Sequence, residues 1–173
     1  MGKFLVILLL VCCAVAGVSM YYLQVYAFYE EVPETGDYVR LTAIVSGTPE
    51  GLPYDRFEAI DSESSPIRYR ACFTTDMGFD ALSETYVIMD NPVPRVAPKW
   101  FECFDAKEVG GALENGAALA FMGEENVQYG IDRIVAIHED GRGWVWHEIN
   151  RCGEVVFDGN FAPEGCPPPP QGY

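Results

Sequence analysis

The sequence predicts an α+β protein: an N-terminal transmembrane helix followed by one antiparallel-sheet domain with one main helix and disulfides. Three observations predict it. No charged residue occurs from Phe4 to Tyr29, which suffices for one membrane crossing of about 20 helical residues. After Glu30, apolar segments of strand length, rich in β-branched and aromatic residues, are separated by Gly- and Pro-rich turns. Four cysteines, Cys72, Cys103, Cys152 and Cys166, lie in that later part, an even set of the kind that pairs in an oxidising compartment. The chain therefore divides into an anchor (1–29), a polar linker (30–36), an α+β domain (37–160) and a proline-rich tail (161–173).

The anchor has three competing fates. A lipoprotein needs a small residue before the modified cysteine, but Val11 precedes Cys12 and Cys12 precedes Cys13. Cleavage after Ala16 satisfies the small-x-small rule at Ala14 and Ala16, yet it leaves the aromatic end GVSMYYLQVYAFY. An uncleaved signal anchor uses Tyr21, Tyr22, Tyr26, Phe28 and Tyr29 as an interfacial belt, and it is the favoured reading. Lys3 precedes the span and EEVPETGD follows it, so the positive-inside bias puts the N-terminus in the cytoplasm and the domain outside. Cys13 and Gly17 have the small-xxx-small spacing of a helix–helix contact, although one such pair is weak evidence and apolar filler is the favoured reading.

Beyond the span lie ten basic and 26 acidic residues, a net charge of −16. Such a domain repels phosphate backbones and anionic lipid headgroups, which argues against nucleic-acid binding, and it would attract a basic protein or divalent cations; acids scattered along the whole domain fit plain solubility better than either. Among the four cysteines there is no CxxC, no CxxCH and no pair at zinc-ligand spacing. Three disulfide pairings are open. Cys152–Cys166, closing a short loop around GEVVFDGNFAPEG, is favoured and leaves Cys72–Cys103.

Element by element, DYVRLTAIVSG reads as a strand ending at Gly47, and DRFEAID and IRYRACFTT as two strands around SESSP. In IRYRACF the alternation of Ile67, Tyr69, Ala71 and Phe73 with Arg68, Arg70 and Cys72 predicts a half-buried strand. MGFDALSE is one helical turn capped by Asp80, and ETYVIMD is a further strand. Three prolines make NPVPRVAPKW a loop. FDAKEVGGALENG is the principal helix: Asp105 caps it with Glu108 three positions on, Val109, Ala112 and Leu113 share a face, and Gly116 ends it. AALAFMG is a strand.

IDRIVAIHEDGRGWVWHEI is the strongest local pattern, a β-hairpin turning on Asp140-Gly141. A two-residue turn there opposes Ile137 to Trp144 and Val135 to Trp146, a Val/Ile/Trp/Trp side suited to a core or to an exposed docking face. In the same register His138 and His147 share a side about 13 Å apart, too far for one metal ion; a shifted register would bring them nearer, with copper then the best-suited ion. No GxSxG elbow, phosphate-cradling loop or distinctive carboxylate pair is present. Trp144, Trp146, Arg142 and His147 are the candidate interaction residues; no catalytic residue, metal or cofactor is assigned.

MGKFLVILLL, YYLQVYAFYEEV, RACFT, WFECFDA and GEENVQYGIDRIVAIHEDGRGWVWHEINRCG, with FDG and EGCP, carry a resemblance from end to end. The chain resembles a bacterial family of small membrane-anchored proteins of unknown function. What the resemblance implies is an envelope protein whose domain faces the periplasm. Members are sometimes labelled histidine kinase automatically; here both histidines sit in a strand pattern and no ATP-binding domain follows. The expected role is a non-catalytic accessory or assembly factor, held at the inner membrane by residues 4–29, whose partner is a membrane protein complex or a basic periplasmic protein. The alternative is a small-ligand or metal sensor, or an enzyme with a cleft around His147.

Overall fold

A computed structural model describes residues 2–170; Met1 of the predicted anchor and residues 171–173 of the predicted tail lie outside the described residues. Helix α1 spans Gly2–Tyr22, runs on into a π-helical turn at Leu23–Ala27, and buries none of its side chains. It is long and apolar enough to cross a membrane. The chain then forms β1 (Glu30–Glu31), β2 (Arg40–Thr42), β3 (Pro49–Gly51), β4 (Asp55–Asp61) and β5 (Arg70–Thr74). Helices α2 (Phe79–Thr85) and α3 (Ala106–Glu114) follow, then β6 (Ala118–Gln128), β7 (Ile131–His138), β8 (Arg142–Ile149) and helix α4 (Arg151–Phe157).

Six strands form one sheet in the order β1-β4-β5-β8-β7-β6, every neighbour antiparallel, and β2–β3 form a small second sheet. Both faces of the large sheet are covered. On one, Tyr69, Ala71, Phe73, Phe121, Val135, Ile137 and Val145 pack under Val39, Leu41, Leu52 and Leu82. On the other, Cys72, Ala120, Ile134, Ala136, Trp144 and Trp146 pack under Phe101, Phe104, Val109 and Ala112. The α+β architecture expected from the sequence is therefore the one observed, with the sheet as the middle of three layers.

Several local expectations need correcting. Strand β5 is buried on both faces rather than one. Arg70 lies in the interior because its guanidinium donates to the carbonyls of Ile67, Tyr69, Arg95 and Val96. The first two residues of the predicted linker are strand β1, paired to Ile60 and Asp61, with Val32 N–H donating to the Ala59 carbonyl. β2 is short because the chain already turns at Ala43, whose carbonyl accepts from Gly47 N–H. ETYVIMD is extended but makes only isolated bridges, Tyr86 to Ala43 and Ile88 to Phe121. α2 is capped by the backbone at Gly78, with Asp80 in its first turn. In α3, Asp105 caps as expected by accepting from Lys107 N–H, whereas Glu108 pairs with Arg142.

The largest correction concerns the hairpin. Ile137 opposes Gly143, Ala136 opposes Trp144 and Ile134 opposes Trp146, one residue from the expected register. A two-residue type I′ turn needs positive φ at both central residues. Here Gly141 has φ +87° and Asp140 is not in that region, so the turn takes a third residue. One residue of slip exchanges faces. Val135 and Ile137 join one core, while Trp144 and Trp146 join the other with Ala136 and Ile134.

Candidate interaction site

The junction of helix and domain is built from aromatic residues. The last carbonyls of a helix lack partners within it. One of these, at Val25, accepts from the Trp100 indole Nε1–H at 2.7 Å. The Trp100 ring stacks on Tyr26, with centroids 6.3 Å apart, and meets the edge of Tyr29 at 6.0 Å. The Arg68 guanidinium lies 5.7 Å from the centre of the Tyr29 ring. Trp100 is carried by the proline-containing loop before α3, and that loop is tied to β5 by the Cys72–Cys103 disulfide. The end of the helix is thus clasped to the sheet through one tryptophan and one covalent bridge.

Beside this clasp a groove of about 510 Å³ runs along the sheet edge, lined by Val32, Phe57, Ile60, Trp100 and Phe101 and rimmed by Glu31, Glu58 and Glu102. It exists because β1 is only two residues long. β1 covers Ile60 and Asp61, and among the described residues no strand lies beyond β4 at Asp55–Glu58. A bulge sits in that open stretch, with Arg56 at φ +52°. Bulges of this kind oppose indefinite strand addition at an edge. Aromatic walls under a carboxylate rim can seat a segment that is apolar on one side and basic on the other.

The residues singled out from sequence are distributed differently. Trp144 and Trp146 are 2% and 0% exposed; their indoles donate to the Cys103 carbonyl and the Glu148 carboxylate. They are core, not a docking face, because the hairpin register turns them beneath Phe104 and α3. Arg142 is at the surface, paired with Glu108 and Asp140 and lying over the Trp144 ring. The remaining cysteines pair as Cys152–Cys166, joining α4 to the tail.

His147 is 6% exposed and opposes Arg133, on the face away from His138. Arg133 Nε–H can only donate, so His147 Nε2 accepts at 3.1 Å and Nδ1–H donates to the Pro66 carbonyl at 2.7 Å. Burial, reinforced by the Arg133 charge, pushes its pKa down to about 4. The ring stacks on Tyr69 at 4.8 Å. His147 does line a second cavity, of about 410 Å³, with Glu30, Glu31, Asp61, Glu63 and Gln128. Burial raises the Asp61 carboxyl above its ordinary value. With both imidazole nitrogens engaged, His147 has no lone pair to offer a proton or a metal. Among the described residues no three His, Cys, Asp or Glu side chains are grouped to hold a metal ion.

The sequence places Trp100 only at the end of the proline-containing loop NPVPRVAPKW, and it does not single out Phe57, Glu58 or Glu102. Their common signal is position: the loop WFECFDA sets an aromatic pair beside an acid, and a cysteine draws it to a strand 31 residues away. A family model described as "Family of unknown function (DUF6446)" matches residues 39–167. No curated protein and no solved structure matches the chain.

Proposed function

We propose that this chain, which belongs to the family of unknown function DUF6446, is a non-catalytic, membrane-anchored accessory or assembly factor that binds another inner-membrane protein of a bacterium. The domain stands in the periplasm, where the two disulfides are stable. One observation carries the reading: the Trp100 clasp fixes the open, carboxylate-rimmed groove beside the end of the apolar helix. A groove held there meets the part of a membrane protein that emerges next to the same surface. Its rim and the net charge of the domain favour a Lys/Arg-bearing segment, since complementary charge steers encounter and fixes register.

A periplasmic ligand sensor or an enzyme around His147 is the rival, favoured by the cavity that His147 shares with Asp61. The engaged imidazole weighs against a proton-transfer role there. Capture of the full-length protein in mild detergent separates the two. The expected result is a membrane protein at one-to-one stoichiometry, lost when Glu58→Lys and Glu102→Lys reverse the rim. A lone monomer from native membranes would contradict the proposal and move the weight to the His147 cavity.

A further inference from the structure

Beyond the span, only two intervals between successive acidic residues contain two basic ones, residues 64–75 and residues 91–101. The fold joins them at the end of the sheet nearest α1. Arg70, in the first, belongs to the cross-strand row of Glu31, Ile60, Arg70 and Trp146, a row that starts two residues after Tyr29, where the chain arrives from the helix. Its guanidinium donates to the Arg95 and Val96 carbonyls of the second. Glu148, two residues beyond Trp146, accepts from Val93 N–H at 2.6 Å. The loop of residues 92–99 is therefore held by its backbone, and Pro92, Pro94 and Pro98 stiffen it. What it presents are side chains. Val93 and Val96 are 59% and 80% exposed. Lys99 is exposed and lines the same shallow hollow as Val96. The two carboxylates of that hollow, Glu102 and Asp105, are matched by the ammonium groups of Lys99 and Lys107.

Isolated exposed valines are ordinary; what distinguishes these is where the loop stands. On the reading of α1 as a membrane span, about 20 of its residues fill the hydrocarbon core. The 26 residues of Gly2–Ala27 thus carry its end into the headgroup layer. Trp100, bonded to the Val25 carbonyl and stacked on Tyr26, stands in that layer, where tryptophan concentrates. Along the chain Val96 is at most about 14 Å from Trp100. We infer that residues 92–99 form a membrane-contacting loop, with Val93 and Val96 set in the headgroup–acyl boundary of the leaflet from which α1 emerges and the Lys99 ammonium among the headgroup phosphates. Seating the valines removes apolar surface from water, and an ammonium on a flexible apolar stem reaches phosphate from the same depth. Repulsion from distant carboxylates of the domain is screened beyond about 8–10 Å at physiological salt. Span and loop are then two supports on one bilayer, and together they set the tilt of the acidic groove.

The test places a benzophenone-bearing residue at Val93, Val96 or Val45 of the full-length protein, in nanodiscs of phosphatidylcholine with or without phosphatidylglycerol. Adducts are identified by mass spectrometry after illumination. The expected result is phospholipid adducts from Val93 and Val96 and none from Val45, which is fully exposed on the β2–β3 turn. Adding phosphatidylglycerol should raise the yield from Val96 severalfold in the native chain and not in Lys99→Gln. Lipid adducts from all three positions, or from none, would overturn the loop as a membrane contact. Adducts to a second copy of the chain in place of lipid would overturn the lipid as its occupant, and a yield indifferent to phosphatidylglycerol would overturn the part given to Lys99. The bilayer holds no other protein, so these outcomes are independent of whether the groove binds one. Release of the protein by alkaline carbonate would overturn the span itself, and this inference with it.

Discussion

Arg133 donates to His147 and also lies 4.7 Å from the centre of the Tyr69 ring, so one cation organises a buried histidine and a buried tyrosine. Burial pushes the Tyr69 hydroxyl well above its ordinary range. The sign of the pH dependence follows from His147. It is neutral in the fold down to about pH 4, whereas the unfolded chain takes up the proton near pH 6.5. The unfolded state binds more protons between these values, so stability falls as pH drops from 6.5 to 4, by on the order of 3 kcal/mol. Asp61, whose carboxyl is raised, works in the opposite direction and offsets part of this. Denaturant unfolding at pH 7 and pH 4.5 should show the loss in the native protein and a much flatter response in His147→Gln, which retains an acceptor for Arg133. An equal slope in both would remove His147 as the cause. The candidate histidine was visible in the sequence; its partner was not, because one residue of hairpin register decides whether Ile134 or Arg133 stands opposite.

At the level of elements, the same turn shows how close packing fixes register. Phe73 opposes Gly143 across the β5–β8 ladder, and its ring lies where a Cβ on Gly143 would be. A slip in β8 would put Arg142 or Trp144 under that ring. Gly143→Ala is expected to cost about 1–3 kcal/mol by overpacking, and Phe73→Leu should recover part of it in the double variant. Additive losses, measured by denaturant midpoint, would show that the two positions do not meet. The α4 helix, missed in the sequence, belongs at this scale too. Asn150 caps it by accepting from Cys152 and Gly153 N–H, a signal that could have been read. Gly153 argues against a helix locally, but it is where α4 comes against Gly130, with no room for a Cβ on either. The principal helix and the first half of β6 were legible because capping and apolar pattern agreed with packing, whereas β6 runs on past the apolar AALAFMG to Gln128 through a polar stretch that reads as a loop; the hairpin was legible in kind but not in register.

For the whole molecule, the sequence made the apolar span, the strand-rich domain and both cysteine pairs readable, since each rests on composition or spacing. It did not reveal that the sheet is covered on both faces, because Arg70 looks like a solvent-facing residue until its four carbonyl partners are in place. Nor did it reveal the clasp, a contact between residues 75 positions apart. That clasp makes span and groove one unit, and the central claim rests on it. The most direct measurement is photocrosslinking in native membranes from probes at Glu58 and Glu102 on the groove rim, compared with Val45, fully exposed on the β2–β3 turn. The account predicts one discrete adduct with a membrane protein from both rim positions and none from Val45. No adduct from the rim, or the same adducts from all three, would contradict it.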